Sequence, residues 1–235
     1  MPAKDRAPRS RDEEIRWITS DADMAELPRG RHSLTPEAVK DSQRGRMMRA
    51  VALAVAEKGY GETVVSDVVE RAHVSRKTFY EQFDDLQDCF RQAHAAACAT
   101  LINLMEGFAE AAPQEGLEPL RAGLGGYLAF VSSEPELTQA FFADAVAAGP
   151  GVARQRNRTF EILARMIVET YEHARAQDPS LPEPYPLAGV AATGATLEIV
   201  LSALAEESLE ELPGRADELF DMQLGILTAR GARGS

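Results

Sequence analysis

The chain has 235 residues, 45% of them hydrophobic and 26% charged, with a formal net charge of −12. That length suffices for a buried core in one large domain or two modest ones, and no apolar run nears the roughly 20 residues of a membrane span. The N-terminus is polar and charged, unlike a secretory signal. Cys89 and Cys98 lie nine residues apart on one predicted helix, on opposite faces where they cannot bridge. Two unpaired thiols fit a reducing cytoplasm, the expected location.

In chain order, residues 1–30 mix charge, Pro and Ser with few apolar positions and read as a disordered extension. A capping-box spacing at Ser10–Glu13, ahead of Ile15, Trp17 and Ile18, leaves a short helix open there. The first firm helix opens at Thr35-Pro36-Glu37, a cap, a first-turn proline and an acid at the positive dipole end. It closes at Lys58, before Gly59. Thr63 is a candidate cap for a short helix whose Val65, Val68 and Val69 share a face. Ala72-His73-Val74 breaks the pattern. Ser75 caps a second short helix, with Arg76, Lys77, Thr78 and Tyr80 outward and Phe79 and Phe83 inward. Two helices with so short a break have the geometry that sets a recognition helix into the major groove of DNA.

Asp84 opens a long helix to about Ala112, which starts in the helix-turn-helix and ends in the acidic half. Further helical patterns cover 118–133, 135–148, 152–177, 187–207 and 215–230. A connection over 178–186 carries four prolines and must be extended. No segment alternates as a strand would. The charge is uneven along this path: residues 1–91 hold 16 Lys+Arg against 17 Asp+Glu, whereas residues 92–235 hold 9 against 20. Within 28–50 the count is 6 against 2, so a basic, phosphate-binding footprint is local and N-terminal.

The string V-S-R-K-T-F-Y-E-Q-F, preceded by T-x-x-x-D-V-V-E-R-A, resembles the tetracycline-repressor-like (TetR-type) transcriptional regulators. The resemblance is specific over residues 36–90 and continues weakly to about 230. It implies an all-α fold: an N-terminal three-helix, helix-turn-helix DNA-binding domain over 31–83, then a helical ligand-binding and dimerisation domain over 84–232. By position in the family motif, Arg76 and Lys77 face base edges, where arginine can bridge the O6 and N7 of guanine. Thr63, Ser75, Thr78 and Tyr80 suit phosphate contacts. Three residues depart from the pattern. His73 stands where glycine is usual in the turn, at a position that tends to need positive φ. Glu81 brings a negative charge beside Tyr80. Leu86 replaces a lysine that commonly anchors the next helix to phosphate. Arg29 and Arg31, ahead of the first helix, could supply the missing cations as a minor-groove arm.

The resemblance also implies a small hydrophobic ligand. Met105, Phe108, Tyr127, Phe130, Thr138, Phe142, Phe160 and Met166 are the candidate lining, with isolated polar groups among Asn103, Thr138, Gln139 and Glu198. A small-residue face at Ala188, Ala191, Ala192 and Ala195, with Leu219 and Leu224 on the last helix, is the candidate homodimer surface. In the family the last two helices pair with their copies as a four-helix bundle. Catalysis finds little footing. His32, His73, His94 and His173 show no metal-binding spacing, and His94 with Cys98 forms an i, i+4 pair that nothing completes. No cofactor, metal or membrane is expected. The reading is a homodimeric DNA-binding regulator, a repressor of a palindromic operator released by a small apolar ligand. The alternatives are a regulator without such an effector, or an all-α enzyme or scaffold.

Overall fold

The structure is a computed structural model that describes residues 35–229; residues 1–34, with Arg29, Arg31, His32 and the extension, lie outside them. Among the described residues every regular element is helical. The chain divides into two compact units, residues up to 100 and residues from 101.

In the first unit α1 spans Pro36–Lys58. The Thr35 hydroxyl accepts the Ala38 N–H at 3.2 Å, and Gly59 ends the helix at φ 79°. A 3-10 turn at Tyr60–Glu62 leads to α2 (Val65–Arg71), α3 (Arg76–Tyr80) and the long α4 (Leu86–Ala111). Met47, Val51, Val55, Val68, Phe79 and Phe90 make the core of this unit. The division falls inside α4, at 100/101, rather than before it at 83/84. The start of α4 packs as part of the first unit: the Cys89 thiol reaches the Met47 carbonyl at 3.8 Å, and Tyr60 and Phe90 stack with centroids 5.3 Å apart. The helix cap is also one residue later than the sequence suggests, because the Asp85 carboxylate, not that of Asp84, accepts the Asp88 N–H at 2.7 Å.

The second unit continues from α4 through α5 (Glu118–Ser133), α6 (Pro135–Thr138), α7 (Pro150–Gln177), α8 (Ala188–Ala205) and α9 (Ala216–Leu227). The single helix expected over 135–148 is instead α6, a π-turn at Gln139–Ala143 and a 3-10 turn at Ala145–Ala148. There the Asp144 N–H reaches back to the Gln139 carbonyl, and the Gln139 amide donates to the Asp144 carboxylate at 2.9 Å. The proline-rich connection before α8 is fastened by the Tyr171 hydroxyl, which donates to the Pro182 carbonyl, and by Arg175 Nε, which donates to that of Leu181. Helices α7 and α8 approach to backbone contact: a Cβ on Gly189 would collide with the Ala164 carbonyl oxygen and with Val168 Cγ2.

Candidate functional site

The helix-turn-helix is built from its caps outward. Ser75 Oγ accepts the Thr78 N–H at 3.0 Å and lies 2.9 Å from Thr78 Oγ1, which fixes the first turn of α3. The preceding turn places His73 at φ 52°, the left-handed conformation expected where glycine is usual, and one that a non-glycine residue adopts at a cost. Phe79 is fully buried beneath α3, with Tyr80 and Phe83 ring centroids at 5.3 and 5.5 Å. With Phe79 buried, Lys77 falls on the far side of α3, and Arg76, Lys77 and Tyr80 are all exposed. The Lys77 side chain is 87% exposed and lies 3.8 Å from the Glu81 carboxylate, one turn on. Tyr80 leaves 57% of its surface in solvent, beside the buried Phe79.

Two residues behave otherwise than the sequence suggests. Thr63 is only 4% exposed, and its hydroxyl donates to the Gly59 carbonyl at 2.8 Å. It therefore pins the turn before α2 and presents no hydroxyl to a phosphate. The start of α2 is held instead by Asp67, whose carboxylate accepts the Val64 N–H at 2.7 Å and pairs with Lys58 at 2.6 Å. The hydrogen bond from Lys58, then that from the Val64 N–H, holds the Asp67 carboxyl below its usual range. Arg44, which reads as helix surface, is a fastening. Its guanidinium donates to the Gln82 carbonyl and to the Gln92 amide oxygen, and it lies 4.5 Å from the Phe83 ring centroid. It thus joins α1, the turn after α3 and α4. No local pattern flags it, because its three partners are 38 to 48 residues away.

These observations define a capped, solvent-facing helix, α3, resting on the core of the first unit. Residues 50–93 match the family model described as bacterial regulatory proteins, tetR family. The first unit thus carries a TetR-type DNA-binding domain, and the chain is a DNA-binding transcriptional regulator. Among solved structures, the regulator resembles the fatty acid degradation regulator FadR from Bacillus halodurans at 16% identity and TM-score 0.68, covering 77% of this chain and 97% of that one. FadR from Bacillus subtilis, solved with stearoyl-CoA, matches at 16% identity and TM-score 0.67 over 76% and 96% of the two chains. GusR of Salmonella enterica matches at 18% identity and TM-score 0.63 over 84% and 100%. At these identities the likeness is one of fold. A comparison with curated proteins gives no match.

In the second unit of the regulator the expected ligand-lining residues separate. Met105, Tyr127 and Phe130 are buried, and Phe142 meets the Tyr127 ring edge-on at 6.5 Å. Burial pushes the Tyr127 phenol well above its usual range. Phe160 and Met166 are half-buried on α7, with the tip of the Phe160 ring close to Gly194. Phe108 is 48% exposed, with its ring laid over Gly126. Thr138 is buried, but its hydroxyl is spent on the Val131 carbonyl at 3.1 Å, and Glu198 is exposed.

The sequence reading missed two inward polar groups. Gln223 is 2% exposed and its Nε2 donates to Thr196 Oγ1 at 2.8 Å. The Thr196 hydroxyl proton goes to the Ala192 carbonyl, so the amide orientation is fixed and Gln223 Oε1 is a buried acceptor without a donor. Arg156 on α7 likewise buries its Nε without a partner.

The candidate dimer residues split by helix face. Ala188, Ala192 and Leu219 are buried in the protomer's own core, inside the packing of α8 on α7 and α9, so they cannot meet a second copy. Ala191 is exposed, and Ala195 and Leu224 are half-buried. On the outer face of α8, Leu187, Ala191, Gly194, Leu201 and Ala205 stand in helical register with one acid, Glu198, among them. By length and composition alone, α8 is apolar enough to cross a membrane, which makes it the most apolar stretch described.

Proposed function

We propose that the regulator is a homodimeric repressor that reads a palindromic operator with α3 and is released by a small apolar ligand held in the unit beyond residue 100. The observation that carries the DNA-reading assignment is the exposed face of α3. Arg76 and Lys77 present cations to base edges, and Tyr80, with the Ser75–Thr78 pair, is set for the phosphate backbone.

Dimerisation is supported by α8. A helix apolar all round is one buried all round, yet only one face of α8 is covered within the protomer. A second copy on the Leu187–Ala205 face accounts for the other, and it carries the two recognition helices as the pair that a palindrome needs. Such a regulator acts in the cytoplasm.

Release by a ligand is supported by the stearoyl-CoA bound to the structurally similar FadR of Bacillus subtilis and by the unsatisfied Gln223 acceptor in an apolar core. Helix α4 carries residues of both units. The test uses any compound that raises the melting temperature. Operator affinity measured with and without it should fall about 5- to 150-fold, and operator DNA should weaken the compound by the same factor. A tight compound that leaves operator affinity untouched contradicts release.

A further inference from the structure

Helix α1 is buried all round over its middle. Every residue from Gly45 to Ala52 is buried. One side, which carries Arg44, Met47, Val51 and Val55, meets the rest of the first unit. The Arg44 guanidinium donates to the Gln92 amide oxygen of α4, and the Met47 carbonyl takes the Cys89 thiol. Helix α2 and the 3-10 turn before it also pack on α1. At about 100° per residue, Gly45, Arg49 and Ala52 lie about 140–160° round the helix from Met47, and Arg46 lies about 140° from Val51. On that far side Arg46 and Arg49 keep only 7% and 8% of their surface in solvent, whereas Arg154 and Arg158 on α7 are exposed. Long cations on an open helix face reach into water. This cover is present within a single chain, so a second copy does not supply it.

The chain that joins α1 at Thr35 has the chemistry such a surface needs. Residues 12–26 hold six acids against one arginine, and carboxylates are the partners that buried guanidinium groups take best. Read as a helix behind the capping-box spacing at 10–13, Ile15, Ile18, Ala22 and Ala25 fall on one face, with Glu14 and Asp21 along its edge. The two alanines match the small Gly45 and Ala52 of α1, so the backbones can approach closely. The reach is sufficient. Arg49 stands about 20 Å along α1 from Pro36, and the eight residues 27–34 can span about 26–29 Å. We propose that residues 12–26 dock as an amphipathic helix on the side of α1 that bears Gly45, Arg49 and Ala52, with their carboxylates against Arg46 and Arg49. The first unit is then closed by a segment of its own chain, and Arg29 and Arg31 extend from a fixed element.

Hydrogen exchange and arginine modification by phenylglyoxal, both read peptide by peptide on the full chain, test this. In wild type the amides of residues 12–26 should exchange about tenfold or more slower than in an unstructured chain. Arg46 and Arg49 should resist the reagent while Arg154 and Arg158 react. Ile15→Asp with Ile18→Asp should bring residues 12–26 to the unstructured rate and open Arg46 and Arg49 to modification, while exchange along α7 stays as in wild type. Glu14→Lys with Asp21→Lys keeps the apolar face and should also raise exchange over 12–26; no change there overturns the pairing with Arg46 and Arg49. Unprotected amides over 12–26 in wild type overturn the docking itself. Resistance of Arg46 and Arg49 that survives Ile15→Asp with Ile18→Asp also overturns it, because another part of the chain then covers α1.

Discussion

The two units turn different chemistry to solvent. On α3 the exposed residues include Arg76, Lys77 and Tyr80, whereas the outer face of α8 carries Leu187, Ala191 and Ala205 with one acid, Glu198. Behind α3, Arg44 fastens the support, with a carbonyl, an amide oxygen and an aromatic face meeting its guanidinium. Single buried polar atoms without a partner occur in both units, Arg46 Nε and Gln82 Oε1 in the first and Arg156 Nε and Gln223 Oε1 in the second, so they do not tell the units apart. A cationic face suits a polyanion, and an apolar face suits a protein surface.

The contrast is sharpest on α8, whose two faces should fail in different ways. Ala192→Glu sets a carboxylate in the protomer's own core and should unfold the second unit, a loss of several kcal/mol. Leu201→Glu places the same charge on the outer face and should leave each protomer folded but monomeric by light scattering. If Ala192→Glu yields a folded monomer while Leu201→Glu dimerises, the inner and outer faces have been exchanged.

Phe79→Ala comes next in size. It removes the fully buried ring that orients α3 and should cost about 3–5 kcal/mol of first-unit stability. Operator binding should disappear while affinity for a second-unit ligand stays within a few-fold of wild type. Loss of both together would show that the two units do not behave separately.

The smallest expected effect is acid sensitivity. The Asp67 carboxyl is held low first by the Lys58 hydrogen bond. At Asp88, burial acts to raise the carboxyl, but hydrogen bonds from Gln92, Arg91 and the Asp84 N–H outweigh it and the net shift is downward. A depressed folded-state value contributes stability above the unfolded carboxylate range, about pH 4, and loses it as pH falls through the folded value. Melting temperature followed from pH 6 to pH 2 should fall less steeply in Asp67→Asn than in wild type. Parallel curves would remove Asp67 from the account.

How much of this was legible in the sequence follows the range of the interactions. The Thr35 and Ser75 caps, the Gly59 stop and the positive φ of His73 are decided by neighbours within four residues, and each stands where the sequence places it. Thr63 misled because a threonine before a helix is a cap by pattern, while its hydroxyl turned back to Gly59. Arg44 and Gln223 were invisible because what matters about them is set by chain 27 or more residues away. The alanines of α8 were read as one face although Ala188 and Ala192 point into the protomer and Ala191 away from it; composition showed a small-residue helix but not which side the rest of the chain would cover.

The central claim is that the exposed face of α3 reads DNA through Arg76. Binding-site selection from a random duplex pool, run in parallel with wild type and Arg76→Ala at one fixed salt concentration, tests it most directly. The account predicts a two-fold symmetric consensus for wild type. The variant should lose preference at one base pair per half-site, with a penalty of about 1–3 kcal/mol for that contact and the rest of the consensus retained. An identical consensus and unchanged affinity in Arg76→Ala would contradict it.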